Sequence, residues 1–196
     1  DAARAPADSE FSAPQAASRP VRENFEELRP LIEDPDLLSQ LRRLEQWSRT
    51  AYDTFHQRLC ERGKSGWIRE CHGDLHLGNI ALIDGQVVLF DGIEFNARMR
   101  WTDVLGDVGF LAMDLDDRGL TAHGSLFLNA YFERSGDYPA VHLLDFYRVY
   151  RAMVRAKVNA LRLEQTRGRE ERKAILEAYR SYTDLAERYT RKRRPV

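Results

Sequence analysis

Two cysteines in 196 residues, Cys60 and Cys71, are too few for a disulfide framework. Both read as free thiols, which places the chain in a reducing cytoplasm. No apolar run approaches the roughly 18 residues that a membrane helix needs, so no span is expected. Charge of one sign is also lacking. Thirty Lys and Arg against 31 Asp and Glu leave a net charge of −1. That excludes the broad field that draws a protein to nucleic acid or to a lipid surface. The opening residues, Asp1-Ala2-Ala3-Arg4-Ala5-Pro6, hold no apolar stretch like that of a signal peptide. They also lack an initiator Met, and the chain reads as a piece of a longer one. There is no internal repeat. What is present, 43% hydrophobic and 31% charged residues, suits one globular domain with a real core.

Residues 1–20 are rich in Ala, Ser and Pro without periodicity, and read as a flexible leader or linker. Asp34-Pro35-Asp36 starts a helix, with Asp at the cap and Pro at the first position. Leu37, Leu41, Leu44, Ala51, Phe55 and Leu59 continue it at helical spacing up to Gly63 and Gly66. A short strand follows over Trp67–Cys71. Asn79 to Asp91 reads as a β-hairpin turning on Asp84-Gly85, a pair suited to positive φ. After Trp101 the helical period returns through Val104, Val108, Leu111 and Leu115. Further helices are expected near Thr121–Arg134, Pro139–Glu164 and Arg169–Arg191. Residues 191–196 form a short basic tail. The class is mainly α with a small β-hairpin, and the domain proper spans residues 21–190.

The chemistry is concentrated in His72-Gly73-Asp74-Leu75-His76-Leu77-Gly78-Asn79, followed by Asp91 beyond the hairpin. Phosphoryl transfer asks little of a protein beyond positioning and charge stabilisation. One carboxylate must orient an acceptor hydroxyl, and hard Mg²⁺ needs oxygen ligands. A kinase supplies these as H-x-D-x-x-x-x-N and a later metal-binding Asp. His72, Asp74 and Asn79 match the first part, and Asp91 stands where the second belongs.

The run H-G-D-L-H-x-G-N resembles the catalytic loop of the aminoglycoside phosphotransferases and their choline-kinase-like relatives. The resemblance covers about Val21 to Gln165. It implies the C-terminal lobe of a protein-kinase-like fold, with the N-terminal lobe absent from this chain. It also implies an ATP- and Mg²⁺-dependent transfer to a small-molecule hydroxyl. Asp74 would be the catalytic base, and Asn79 and Asp91 would hold magnesium and hence the nucleotide. Asp103 and Asp107 resemble the family's D-x-x-x-D pair, whose second member braces the loop. Phe90-Asp91-Gly92-Ile93-Glu94-Phe95-Asn96 and Tyr150-Arg151-Ala152-Met153-Val154-Arg155-Ala156-Lys157 are similar to a bacterial subgroup often fused to a P-loop ATPase. This chain itself has no Gly-rich phosphate loop, no strand Lys before the catalytic loop and no Walker motif. About four extra residues separate Asp91 from Asp103.

The remaining residues divide by chemistry. His72 and His76 are read as supports that hold the loop by hydrogen bonds, and Asp107 as structural. Asp84 is a turn residue, Cys71 a small buried hydrophobe, and Glu94 either a surface carboxylate or a site ligand. Arg148, Arg151, Arg155 and Arg162 fall near one helical face. That face is either solvated or a cationic wall beside the cleft, in which case Arg151 and Arg155 would contact an anionic acceptor, with Arg98 and Arg100 nearby. Two other functions stand beside the phosphotransferase. One is a non-catalytic, truncated or regulatory kinase-like module. The other is a metal-dependent phosphoesterase chelating through His72, Asp74 and His76. No nucleic-acid or membrane partner is expected.

Overall fold

Residues 14–20, grouped by composition with a flexible leader, instead form the first half of helix α1 (Pro14–Leu28). The computed structural model describes residues 2–191, so the basic tail lies outside the described residues apart from Arg191. Pro14 sits at the first position of α1, where its missing N–H costs nothing, whereas Pro20 interrupts the helix interior. Tertiary burial overrides that cost: Val21, Phe25 and Leu28 are all in the core. Upstream, the Ala5 N–H donates to the Ile68 carbonyl at 3.0 Å and the Glu70 N–H to the Ala3 carbonyl at 2.9 Å. Gly63 admits the Ser12 carbonyl so closely that a Cβ would collide with it.

Helix α2 (Pro35–Lys64) is capped by Asp34, whose carboxylate accepts from Asp36 N–H at 2.9 Å and Leu37 N–H at 3.2 Å. Strand β1 (Ile68–Glu70) leads into the loop at 71–79. The expected hairpin follows as β2 (Ile80–Ile83) and β3 (Gln86–Leu89), with φ of +50° at Asp84 and +75° at Gly85. A single turn, α3 (Ala97–Arg100), precedes β4 (Trp101–Asp103). Trp101 therefore belongs to a strand, not to the following helix. β4 pairs antiparallel with β1, Ile68 opposite Asp103, so there are two small sheets.

Helix α4 (Val104–Asp117) is buried at every residue from Leu105 to Leu115. Around it pack α5 (Thr121–Ser135), α6 (Leu144–Gln165) and α7 (Arg169–Thr190), and α6 also packs against α1 and α2. The start expected at Pro139 is a 3₁₀ turn, Tyr138–Leu143, before α6 begins. The molecule is mainly helical, and no described helix is long and apolar enough to cross a membrane.

Arg62, near the end of α2, ties these parts together. Its guanidinium meets both Asp103 oxygens at 2.6 and 2.8 Å and both Asp137 oxygens at 2.7 and 2.9 Å, while lying over the Trp67 ring. All three charged groups are buried. Truncating the arginine strands two carboxylates in a dry site. Arg62→Ala is expected to lose about 3–5 kcal/mol of stability in urea denaturation; a loss below about 1 kcal/mol contradicts this account.

Candidate active site

The loop after β1 is held by backbone amides donating into carboxylates of α4. Asp107, in the first turn of α4, accepts from His72 N–H at 2.8 Å and from Gly73 N–H at 3.1 Å. Asp114, seven residues on along the same helix, accepts from Leu77 N–H at 2.9 Å. Arg151 of α6 completes the clamp: Nη1 donates to the Gly73 carbonyl at 2.9 Å and Nε to the Gly106 carbonyl at 3.0 Å. Its Nη2 lies 3.5 Å from Asp107 Oδ1. A Cβ at Gly106 would press on this guanidinium at 3.3 Å. Gly73 itself has φ of +83°, which glycine adopts without strain.

Of the sequence-predicted site residues, Asp74 and Asn79 are bonded to each other, and Asp74 and Asp91 share one cleft. Asp74 is about a third exposed, at 37% of its side chain. Asn79 is buried, and its Nδ2 donates to the Asp74 carbonyl at 3.0 Å and to Asp74 Oδ2 at 3.1 Å. That leaves Asn79 Oδ1 as the available oxygen. His76 Nδ1 accepts from Gly78 N–H at 3.0 Å, so the neutral ring carries its proton on Nε2, 3.4 Å from Asp74 Oδ2. His72 spans two segments. Its Nε2–H donates to the Phe90 carbonyl at 2.8 Å, and its own carbonyl accepts from Ile93 N–H at 2.9 Å.

Asp91 lies between those two bonds, with φ of +58°. A left-handed aspartate is uncommon, and the bonds on either side hold it there. The hairpin register sets Ile80 opposite Leu89, and Phe90 N–H donates to the Asn79 carbonyl at 3.1 Å, so Asp91 follows the residue that faces Asn79. Asp74 and Asp91 line one cleft of about 990 Å³ between α1, α6 and the segment after Asp91. Neither has a Lys or Arg partner within ion-pair distance among the described residues.

The cationic wall does not form. Arg148 is buried, stacked on Tyr189 and close to Asp116 and Asp145. Arg155 stacks on Tyr182 of α7 and does not line the cleft, while Arg162 is exposed. Arg151 does reach the cleft, but its guanidinium is committed to the loop. Arg98 is paired with Glu10 at 3.4 Å, Lys157 with Glu27 at 2.8 Å and Arg100 with Glu70 at 2.9 Å. The arginine periodicity on α6 marks contacts with α4 and α7.

Burial, with Asp107 and Asp103 nearby, pushes the Cys71 thiol far above its ordinary range, which excludes a thiolate nucleophile. No group of three or more His, Cys, Asp or Glu side chains converges among the described residues. His72, Asp74 and His76, the chelating set of a metal-dependent phosphoesterase, therefore do not converge on one point among the described residues. Two site residues escaped sequence reasoning. Asp114 was legible as a third carboxylate on the face of Asp107; Asn24, which also lines the cleft, carried no signal.

The chain is 38% identical over 150 residues to uncharacterized proteins of Mycobacterium tuberculosis and Mycobacterium bovis. The match takes in 76% of this chain but 30% of each relative, so the chain spans less than a third of the relatives it matches. No family profile matches it, and no solved structure matches it significantly.

Removing the Asp107 carboxylate deprives two buried amides of their acceptor. Asp107→Ala should therefore speed hydrogen exchange at His72 and Gly73 by roughly ten- to a hundredfold, with the amides of α7 unchanged. Uniform acceleration across the chain would show instead that Asp107 serves global stability alone.

Proposed function

We propose that this chain carries the catalytic residues of an ATP-dependent phosphotransferase acting on a hydroxyl of a small molecule. The fold would be the C-terminal lobe of a kinase-like enzyme. One observation carries the reading. Asp74 and Asp91 share a cleft without a cationic partner, while the neighbouring acids Asp103, Asp107 and Asp114 each sit beside an arginine.

In this reading Asp74 accepts the proton of the acceptor hydroxyl as the new O–P bond forms. Asn79 and the Nε2–H of His76 fix its carboxylate in place, leaving one oxygen toward the cleft. The donor set also suits Mg²⁺. Asn79 Oδ1 and the Asp91 carboxylate are both hard oxygens, and magnesium takes one or two protein ligands with phosphate and water. When bound, the ion supplies charge neutralisation on the phosphates.

The rest of the nucleotide site would come from outside these residues. The hairpin leading into Asp91 is exposed on an apolar surface, with Leu82 73% and Val87 70% exposed, and Phe95 beyond Asp91 is 87% exposed. An apolar patch beside a charge pair suits cover by another domain. The non-catalytic alternative is supported by no specific contact.

Activity tests belong on the longer protein. Asp74→Asn should lower kcat by about 10²–10⁴-fold and Asp91→Ala by about 10²–10³-fold, both folding normally. His123→Ala, on the exposed face of α5, should change little. Wild-type turnover in Asp74→Asn would sink the assignment. For the 196-residue chain alone, calorimetry should detect no Mg–ATP binding at micromolar concentrations; tight binding would show that no further domain is needed.

A further inference from the structure

Helix α1 turns one stripe toward the cleft, Ala16, Pro20, Asn24 and Glu27, spaced three or four residues apart. Asn24 is 2% exposed, yet neither its Oδ1 nor its Nδ2 has a hydrogen-bond partner. The other buried amide side chains are satisfied. Gln40 donates to Asp184, Asn79 to Asp74 and Asn159 to the Arg155 carbonyl. An amide has two donors and two lone pairs, and leaving them unmet carries the full desolvation cost. Pro20 lies on the same stripe and has no N–H to donate to the Ala16 carbonyl. One turn beyond Asn24, Glu27 closes the seam with Lys157 of α6 at 2.8 Å. Arg100 Nε, Tyr147 OH, Arg148 Nε and Tyr179 OH are also buried without partners, but Asn24 alone among them lines the cleft, and both of its polar atoms are unmet.

We propose that Asn24 is the specificity-determining residue of the acceptor cleft, its amide pairing with vicinal hydroxyls of a polyhydroxylated small molecule. A diol presents one donor beside one acceptor, which an amide matches with its N–H and its carbonyl. This rests on the phosphotransferase reading above for the cleft's role, but not for its test. The retained cost in the free fold is what an interaction made only with ligand predicts.

The test uses the full-length protein with glucose, myo-inositol and glucosamine as probes, Asn24→Leu as the main variant and Asn24→Ala as a second in case leucine overfills the site. Thermal denaturation and direct probe binding by NMR titration are read together. The apolar Leu variant should melt at or above the wild-type temperature, because the buried amide earns nothing in the free fold. At least one probe should bind wild type and lose about tenfold or more in affinity in both variants. Where turnover is measurable, the KM of that probe should rise by more than kcat falls, with the KM for Mg–ATP unmoved. Lower melting temperatures in both variants would reveal a structural partner such as a trapped water and overturn the proposal. Equal probe affinity in the variants, or no binding of any probe to wild type, would overturn it too. Because binding is read without turnover, an inactive wild type that still binds a probe through Asn24 counts against phosphoryl transfer alone.

Discussion

The site depends on one buried carboxylate, Asp107, at the start of a helix with no solvent-facing side over most of its length. Its oxygens collect the amides of His72 and Gly73 and stand beside Arg151. A short side chain is required, because the loop passes directly over the first turn of α4. Glycine at 106 leaves room for the guanidinium that balances the charge. Asp103 before it and Asp114 after it do the same for other segments, the first through Arg62 to α2, the second through the Leu77 amide. Helix α4 is thus a spine of acids, each spent on a fixed partner. A buried charge survives only with such compensation.

Against that background the two acids without a Lys or Arg partner stand out. Asp74 and Asp91 are placed by backbone bonds around His72 and by the Asn79 amide, not by arginine. Position and charge are therefore supplied by different groups. Their geometry is set without a cationic side chain, whereas an ion pair would have given the same placement and balanced the charge.

Local signals were the ones sequence reasoning could read. The Asp34-Pro35 cap and the Asp84-Gly85 turn are each decided within a few residues, and both stand in the structure. The five-residue spacing of Asp74 and Asn79 is bridged by a hydrogen bond, and Asp91 follows the hairpin into the cleft that Asp74 lines. The β1–β4 pairing was hidden because its strands lie more than thirty residues apart and are three residues long. Helix α1 was hidden by Pro20 and a run of small residues, and only burial of Phe25 and its neighbours reveals it. The arginines of α6 misled for a physical reason. Periodicity separates polar from apolar faces, but arginine packs by its stem and planar head against aromatic rings. Arg148 and Arg155 do so on Tyr189 and Tyr182, inside the α6–α7 contact.

The same distinction governs the surroundings of Asp91. On one side lies the polar cleft, where Glu10 and Glu27 hold Arg98 and Lys157, while Glu23 and Glu94 have no ion-pair partner among the described residues. On the other lies the hairpin, whose exposed Leu82, Val87 and Leu89 satisfy no packing need of this chain. A two-stranded hairpin alone is marginal in water. This one is anchored through the Phe90–Asn79 and His72–Phe90 bonds at its open end. Whatever covers its apolar face therefore bears on the strand that ends at Asp91, and through Phe90 on the ring of His72. The exposed hairpin and the placement of Asp74 and Asp91 are in this way coupled through a single residue.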